Sequence, residues 1–123
     1  MHDYDGEGWN VTGDLEAMKR GNVVYIAGPR EGIQDGNRPM FYAAEEFLQH
    51  EGLLVLNPAW LPVGMPGKRY MPLCLAMLEQ ADVIALLPDW LKSKGAYIEQ
   101  NYAMYQKKDM LFMRNETAVD GDA

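Results

Sequence analysis

The sequence predicts a three-layer α/β sandwich on a mainly parallel sheet of four to five strands. Three observations predict it. Four short β-rich runs, Val23–Ala27, Leu53–Leu56, Val83–Leu87 and Asp109–Met113, are near-continuously apolar rather than alternating. That is the pattern of strands covered on both faces. Helical patterns separate consecutive runs, which gives βαβ units with right-handed crossovers. A chain of 123 residues is the size of one ordinary domain, and 48% hydrophobic residues suffice for a core.

Residues 1–21 are polar and carry no clear period, so they read as an N-terminal arm. Asp14–Arg20 is a candidate short helix within it, and Trp9 has no evident role. The fold proper runs over residues 22–114, and 115–123 reads as a frayed polar tail. The first strand ends in Gly28-Pro29, followed by a long loop in which Gly28, Gly32 and Gly36 permit sharp turns or close backbone approach. Asn37 and Pro39 read as a helix start. Met40, Ala43, Ala44, Phe47 and Leu48 then form one buried face, and Gly52 closes the helix.

The second strand ends in Asn57-Pro58. The Pro/Gly-rich loop Ala59–Lys68 is a candidate lid, with Trp60 and Met65 as a pocket wall or an interface. A helix over Tyr70–Ala81 carries the stripe Met71, Cys74, Leu75, Leu78 and Ala81, in which Cys74 reads as a small core residue. Asp82 opens the third strand. After it comes a break, then Ser93 as the N-cap of a helix running through Tyr105. On that helix Gly95, Glu99 and Ala103 recur at i, i+4 and i+8. Glu99 is thus flanked by the smallest side chains of the helix, just past a strand end, where open α/β sheets bind ligands. A solvated surface glutamate is the competing reading. Ile98, Tyr102 and Tyr105 form a neighbouring apolar stripe.

Composition excludes several classes. A net charge of −7, from 11 basic and 18 acidic residues, argues against an extended nucleic-acid surface. No apolar run approaches the about 18 residues that cross a bilayer. The acidic start of the chain is unlike a signal peptide, so a cytoplasmic protein is expected. One cysteine excludes an internal disulfide, and His2 and His50 lie too far apart to suggest a zinc cluster. No Walker A loop or GxGxxG fingerprint is present, and neither metal nor cofactor is expected.

The segments Tyr25–Pro29, Asn37–Pro39, Asn57-Pro58, Ala81–Ile84 and Ser93–Glu99 occur in an order that resembles the nucleoside 2-deoxyribosyltransferase-like superfamily, over roughly residues 22–113. The resemblance is to a short bacterial and phage branch, related to nucleoside monophosphate N-glycosidases. It implies a flavodoxin-like sheet and a homo-oligomer, dimer or higher, with shared active sites. It implies a small nucleoside or nucleotide as ligand. Glu99 maps onto the family nucleophile, and Tyr25 onto a site-lining position. Ser93 maps onto a phosphate-contacting position at a helix N-terminus, a suitable place for an anion. Arg30 and Arg38 are further candidates for phosphate, and Gly28, Pro29, Asn57, Asp89 and Gly95 for the rest of the binding surface. Where family enzymes commonly carry an aspartate that assists the departing base, this chain has Cys74. Asp82 or Asp89 then takes over, a partner subunit supplies the acid, or activity falls. Asp82 either reaches the site or caps a strand. Pro29 stands where the phosphate-specific hydrolases have a hydroxyl residue.

The reading that follows is N-glycosidic cleavage or base transfer through a glutamate nucleophile. A carboxylate suits the oxocarbenium-like charge that builds on the sugar. The alternative is a catalytically weak or inactive nucleotide-binding protein of the same fold.

Overall fold

The computed structural model describes residues 8–13, 15 and 22–115. Its strands are β1 (Trp9–Thr12), β2 (Val23–Ala27), β3 (Leu54–Leu56), β4 (Val83–Leu86) and β5 (Asp109–Asn115). Its α-helices are α1 (Arg38–His50), α2 (Gly67–Glu79) and α3 (Lys94–Tyr105). The sheet order is β1-β5-β4-β2-β3. β2, β3, β4 and β5 are parallel, and β1 joins β5 antiparallel, pairing Trp9 with Asn115 and Thr12 with Phe112. The four parallel strands have the flavodoxin-like order, in which the chain steps from β2 to one side and then returns to the other.

Alternation along the strands sorts the core into two layers. Val24, Ile26, Val55, Val83, Ala85 and Leu111 pack with Phe41, Ala44, Phe47 and Leu48 of α1. Tyr25, Ala27, Ile84 and Leu86 pack with Cys74 and Leu78 of α2 and Ala96 and Ala103 of α3. Burying one such leucine from water is worth roughly 2–3 kcal/mol. The α1 stripe lacked Phe41 in the sequence reading, although it is among the most buried residues of that helix. Of the candidate helix at 14–20 only Leu15, in a turn, is described; Asn115, read as the start of the tail, ends β5, and residues 116–123 lie outside the described residues.

Several local expectations need correction. The arm is not loose throughout: Trp9–Thr12 completes the sheet, and Trp9 packs on Phe47 with ring centroids 6.4 Å apart. Four residues with only partial apolar alternation gave no period to detect. Asn37 does not cap α1. It sits in the left-handed region, as do Asp35 and Gly36 before it, and its side chain instead donates to the Pro29 carbonyl at 2.8 Å. On α3 the apolar stripe divides: Tyr102 packs against the core, while Ile98 is exposed and Tyr105 is 82% exposed.

Asn57 anchors the start of the candidate lid. It is fully buried. Its carbonyl oxygen accepts from the Ala59 N–H at 2.9 Å, and its amide donates to the Phe41 carbonyl at 3.3 Å and to Glu45 at 2.9 Å. Asn57→Ala leaves buried backbone groups without partners, an effect of about 2–3 kcal/mol. Urea unfolding should show that loss, and a midpoint shifted by less than about 0.5 kcal/mol equivalent would remove Asn57 as an anchor.

Candidate functional site

The C-terminal ends of β2 and β4 open onto a cavity of about 400 Å³. This is the edge where the strand order reverses, and the crevice there is a consequence of topology. Tyr25, Cys74 and Glu99 converge in its wall from β2, α2 and α3. Ala96 and Ala103, both buried, hold the inner face of α3 close to the sheet, so the side chain between them points inward. Glu99 is only 6% exposed. It is not the solvated glutamate of the competing reading.

The Tyr25 hydroxyl donates to Glu99 Oε2 at 2.9 Å. The Cys74 thiol is also within hydrogen-bonding reach of both groups. Burial pushes the Glu99 carboxyl up to about 7, while hydrogen bonds from Tyr25 and Cys74 pull it the other way. Desolvation therefore outweighs two donors, because neither carries a charge. Burial, with the neighbouring Glu99 charge, holds the Tyr25 hydroxyl well above its ordinary value. Burial pushes the Cys74 thiol up to about 11. Both stay protonated at neutral pH and serve as donors to the carboxylate.

Arg30 also lines the cavity, in a fixed pose. Its Nε donates to the Gly36 carbonyl at 2.9 Å and its Nη1 to the Pro58 carbonyl at 3.1 Å. Its guanidinium lies 5.6 Å from the Phe41 ring centroid, a cation–π distance. The left-handed run Asp35–Asn37 aims the Gly36 carbonyl at this group. Two non-glycine residues in that region are strained by roughly 1 kcal/mol each, offset by the bonds they make possible.

Gly28 reaches the wall for a different reason: a Cβ there would stand 2.8 Å from Leu87 Cβ, so only glycine lets the strand end approach β4. Ser93 caps α3, its Oγ accepting from the Ala96 N–H at 3.1 Å, and lines the cavity with Gly95. Over the opening, the loop after Trp60 contributes Val63 and Met65. The Tyr70 hydroxyl ties this loop down, donating to the Pro62 carbonyl and accepting from the Met65 N–H at 3.3 Å.

Of the residues expected at the site, Tyr25, Gly28, Arg30, Ser93, Gly95 and Glu99 do come together. Asp82 does not. It stands at the opposite end of the sheet, where its carboxylate accepts from the Val23 N–H at 2.9 Å and caps the start of β2. Asp89 is an exposed left-handed residue paired with Lys92 at 3.6 Å. Asn57 is spent on the backbone, Pro29 offers its carbonyl to Asn37, and Arg38 opens α1 outside the cavity lining. Trp60 turns away, its indole N–H donating to Glu45 at 3.0 Å. Sequence reasoning missed Tyr70, Met71 and Glu31 as lining residues. Met71 was legible only as a member of the α2 apolar stripe. Tyr70 and Glu31 gave no signal, since their neighbours here are distant in sequence. Among the described residues no group of acidic, histidine and cysteine side chains could hold a metal ion, and no helix is long and apolar enough to cross a membrane.

No curated protein sequence matches the chain. Among solved structures, a 2-desoxiribosyltransferase from Leishmania mexicana superposes with a TM-score of 0.60 at 20% sequence identity. The match covers 74% of this chain and 63% of that one, so the chain spans less than two thirds of that enzyme's length. The profile of a domain of unknown function, DUF4406, matches residues 22–112. The chain therefore belongs to the DUF4406 family, and its fold is nucleoside 2-deoxyribosyltransferase-like.

Proposed function

We propose that the protein cleaves or transfers the N-glycosidic bond of a small nucleoside or nucleoside monophosphate, with Glu99 as the nucleophile. The observation that carries this reading is the buried Glu99 carboxylate, oriented by the Tyr25 hydroxyl at 2.9 Å in the wall of a ligand-sized cavity. As the C1′–N bond breaks, positive charge grows on the sugar. A nearby carboxylate stabilises it and forms a glycosyl-enzyme, which water or a second base resolves. In a dry site that attraction is far stronger than in water. Arg30, Ser93, Gly28 and Gly95 form the binding wall, with Arg30 and the N-terminus of α3 suited to an anionic group such as a 5′-phosphate. Self-association belongs to the same proposal, supported by the outward stripe of Tyr97, Ile98, Met104 and Tyr105 on α3.

One observation favours a second reading, a nucleotide-binding protein without turnover. Cys74, with its thiol pushed up to about 11, stands where a stronger acid would assist the departing base. Chromatography of free base released from a panel of ribo- and deoxynucleosides and their monophosphates separates the two. Base release that disappears in Glu99→Ala supports the enzyme. Ligand-induced thermal stabilisation with no release supports the binding protein.

Two pH dependences follow from the Glu99 carboxyl lying near 7 rather than 4.5. A nucleophile must be ionised, so kcat/KM should rise with pH up to about 7 and then level off. Initial rates from about pH 5 to 9 test this, and a flat profile would remove Glu99 as the ionising group. For stability the sign is opposite. Folded Glu99 keeps its proton between 4.5 and about 7 while the unfolded chain loses it, so stability falls as pH rises through that window. Glu99→Gln should therefore stabilise the protein by about 2 kcal/mol more near pH 8 than near pH 5. Equal effects at both pH values in denaturant titrations would contradict the buried carboxylate.

A further inference from the structure

The cavity pairs a buried carboxylate with a shortage of protons to give away. The partners of Glu99 are the hydroxyl of Tyr25 from β2 and the thiol of Cys74 from α2, both uncharged. Among the described residues no cation is paired with Glu99. Arg30, the cationic side chain in the lining, already gives Nε and Nη1 to two backbone carbonyls. A desolvated carboxylate of this kind favours a cationic ligand over a neutral one of the same shape.

Among the described lining residues, Ser93 keeps a hydroxyl proton but is an alcohol, too weak an acid to protonate a leaving base near neutral pH, and the other proton carriers are committed or ill matched. The Tyr25 hydroxyl donates to Glu99, and the Tyr70 hydroxyl donates to the Pro62 carbonyl. Cys74 is buried against Tyr25 and Leu78, and its thiol, pushed up to about 11, is poorly matched to acid catalysis near neutral pH. Glu31, the second carboxylate of the lining, is exposed on the loop after β2. A neutral base leaves efficiently only if it gains a proton. At the low pH where solvent supplies one, Glu99 is itself protonated. The two requirements conflict for a neutral nucleoside.

We infer that the preferred substrates are N-glycosides whose base carries a fixed positive charge, such as pyridinium or N7-alkylated purine nucleosides. This rests on Glu99 being the nucleophile, and specifies which nucleosides it attacks. In the first step the C1′–N bond breaks and its electron pair moves onto the ring, cancelling the charge there. A Glu99 oxygen forms the new bond to C1′. No proton is transferred. In the second step water adds to C1′, the bond to Glu99 breaks with its electrons returning to the carboxylate, and the surplus proton passes to solvent. Tyr70, Met65 and Met71 give the cavity aromatic and thioether surface suited to a flat cationic ring.

Matched pairs test this. Nicotinamide riboside is compared with its reduced, uncharged form, and 7-methylguanosine with guanosine, each also as the 2′-deoxy sugar and the 5′-monophosphate. Base release is read as kcat/KM above the protein-free rate, near pH 8. The charged member of a pair should be cleaved at least about 100-fold faster than its neutral twin, the size of contribution a missing general acid would make. Neutral twins cleaved as fast as the charged ones overturn the inference while leaving Glu99 as nucleophile intact. Loss of that neutral activity in Glu31→Gln would then identify the acid. No release from either member of any pair overturns the nucleophile reading and this inference with it.

Discussion

The hydrogen bond from Tyr25 to Glu99 joins the first parallel strand to the last helix, and the geometry around the cavity depends on it. It crosses the part of the chain where the two crossovers diverge, so the crevice has a polar floor inside an otherwise apolar layer. That floor exists because α3 can approach the sheet closely, with alanine rather than larger residues on its inner face. The same closeness strips water from the carboxylate. Two neutral donors do not compensate for that loss, and Glu99 is left with a raised affinity for a proton.

The remaining walls are held by backbone rather than by side-chain pairs. Arg30 is fixed by two carbonyls, one presented by a left-handed run and the other by the segment after β3 that Asn57 secures. The roof is tied to α2 through Tyr70, while the same helix carries Cys74 into the floor. Roof and floor therefore share one helix, with Tyr70 and Cys74 a single turn apart.

The parallel strands and their helices were legible because burial on both faces imposes a continuous apolar run, and a packed helix imposes a period of 3.6. Val83–Leu87 and the α1 stripe show both rules plainly. The candidate site was legible at a strand end, a helix cap and a stripe of small residues, as at Gly28, Ser93 and Glu99. It was not legible at Tyr70 or Glu31, whose roles arise from contacts that no local pattern encodes. Asp82 misled for an instructive reason. It precedes its strand, and in a parallel sheet that is the end away from the cavity, where it caps β2 instead. Asn37 is similar: its type suits both a helix cap and a left-handed turn, and the bond to Pro29 decides between them. β1 was hidden because four residues are too few to establish a period.

That short strand also determines what the sheet offers to other molecules. β5 is the longest strand and is largely apolar. Without Trp9–Thr12 along its flank it would present an open ladder of backbone donors and acceptors, the form of surface onto which further chains stack. At the far side the sheet ends in β3, which has only three residues. Among the described residues the sheet therefore ends in strands of four and three residues, and the seven-residue β5 lies inside it.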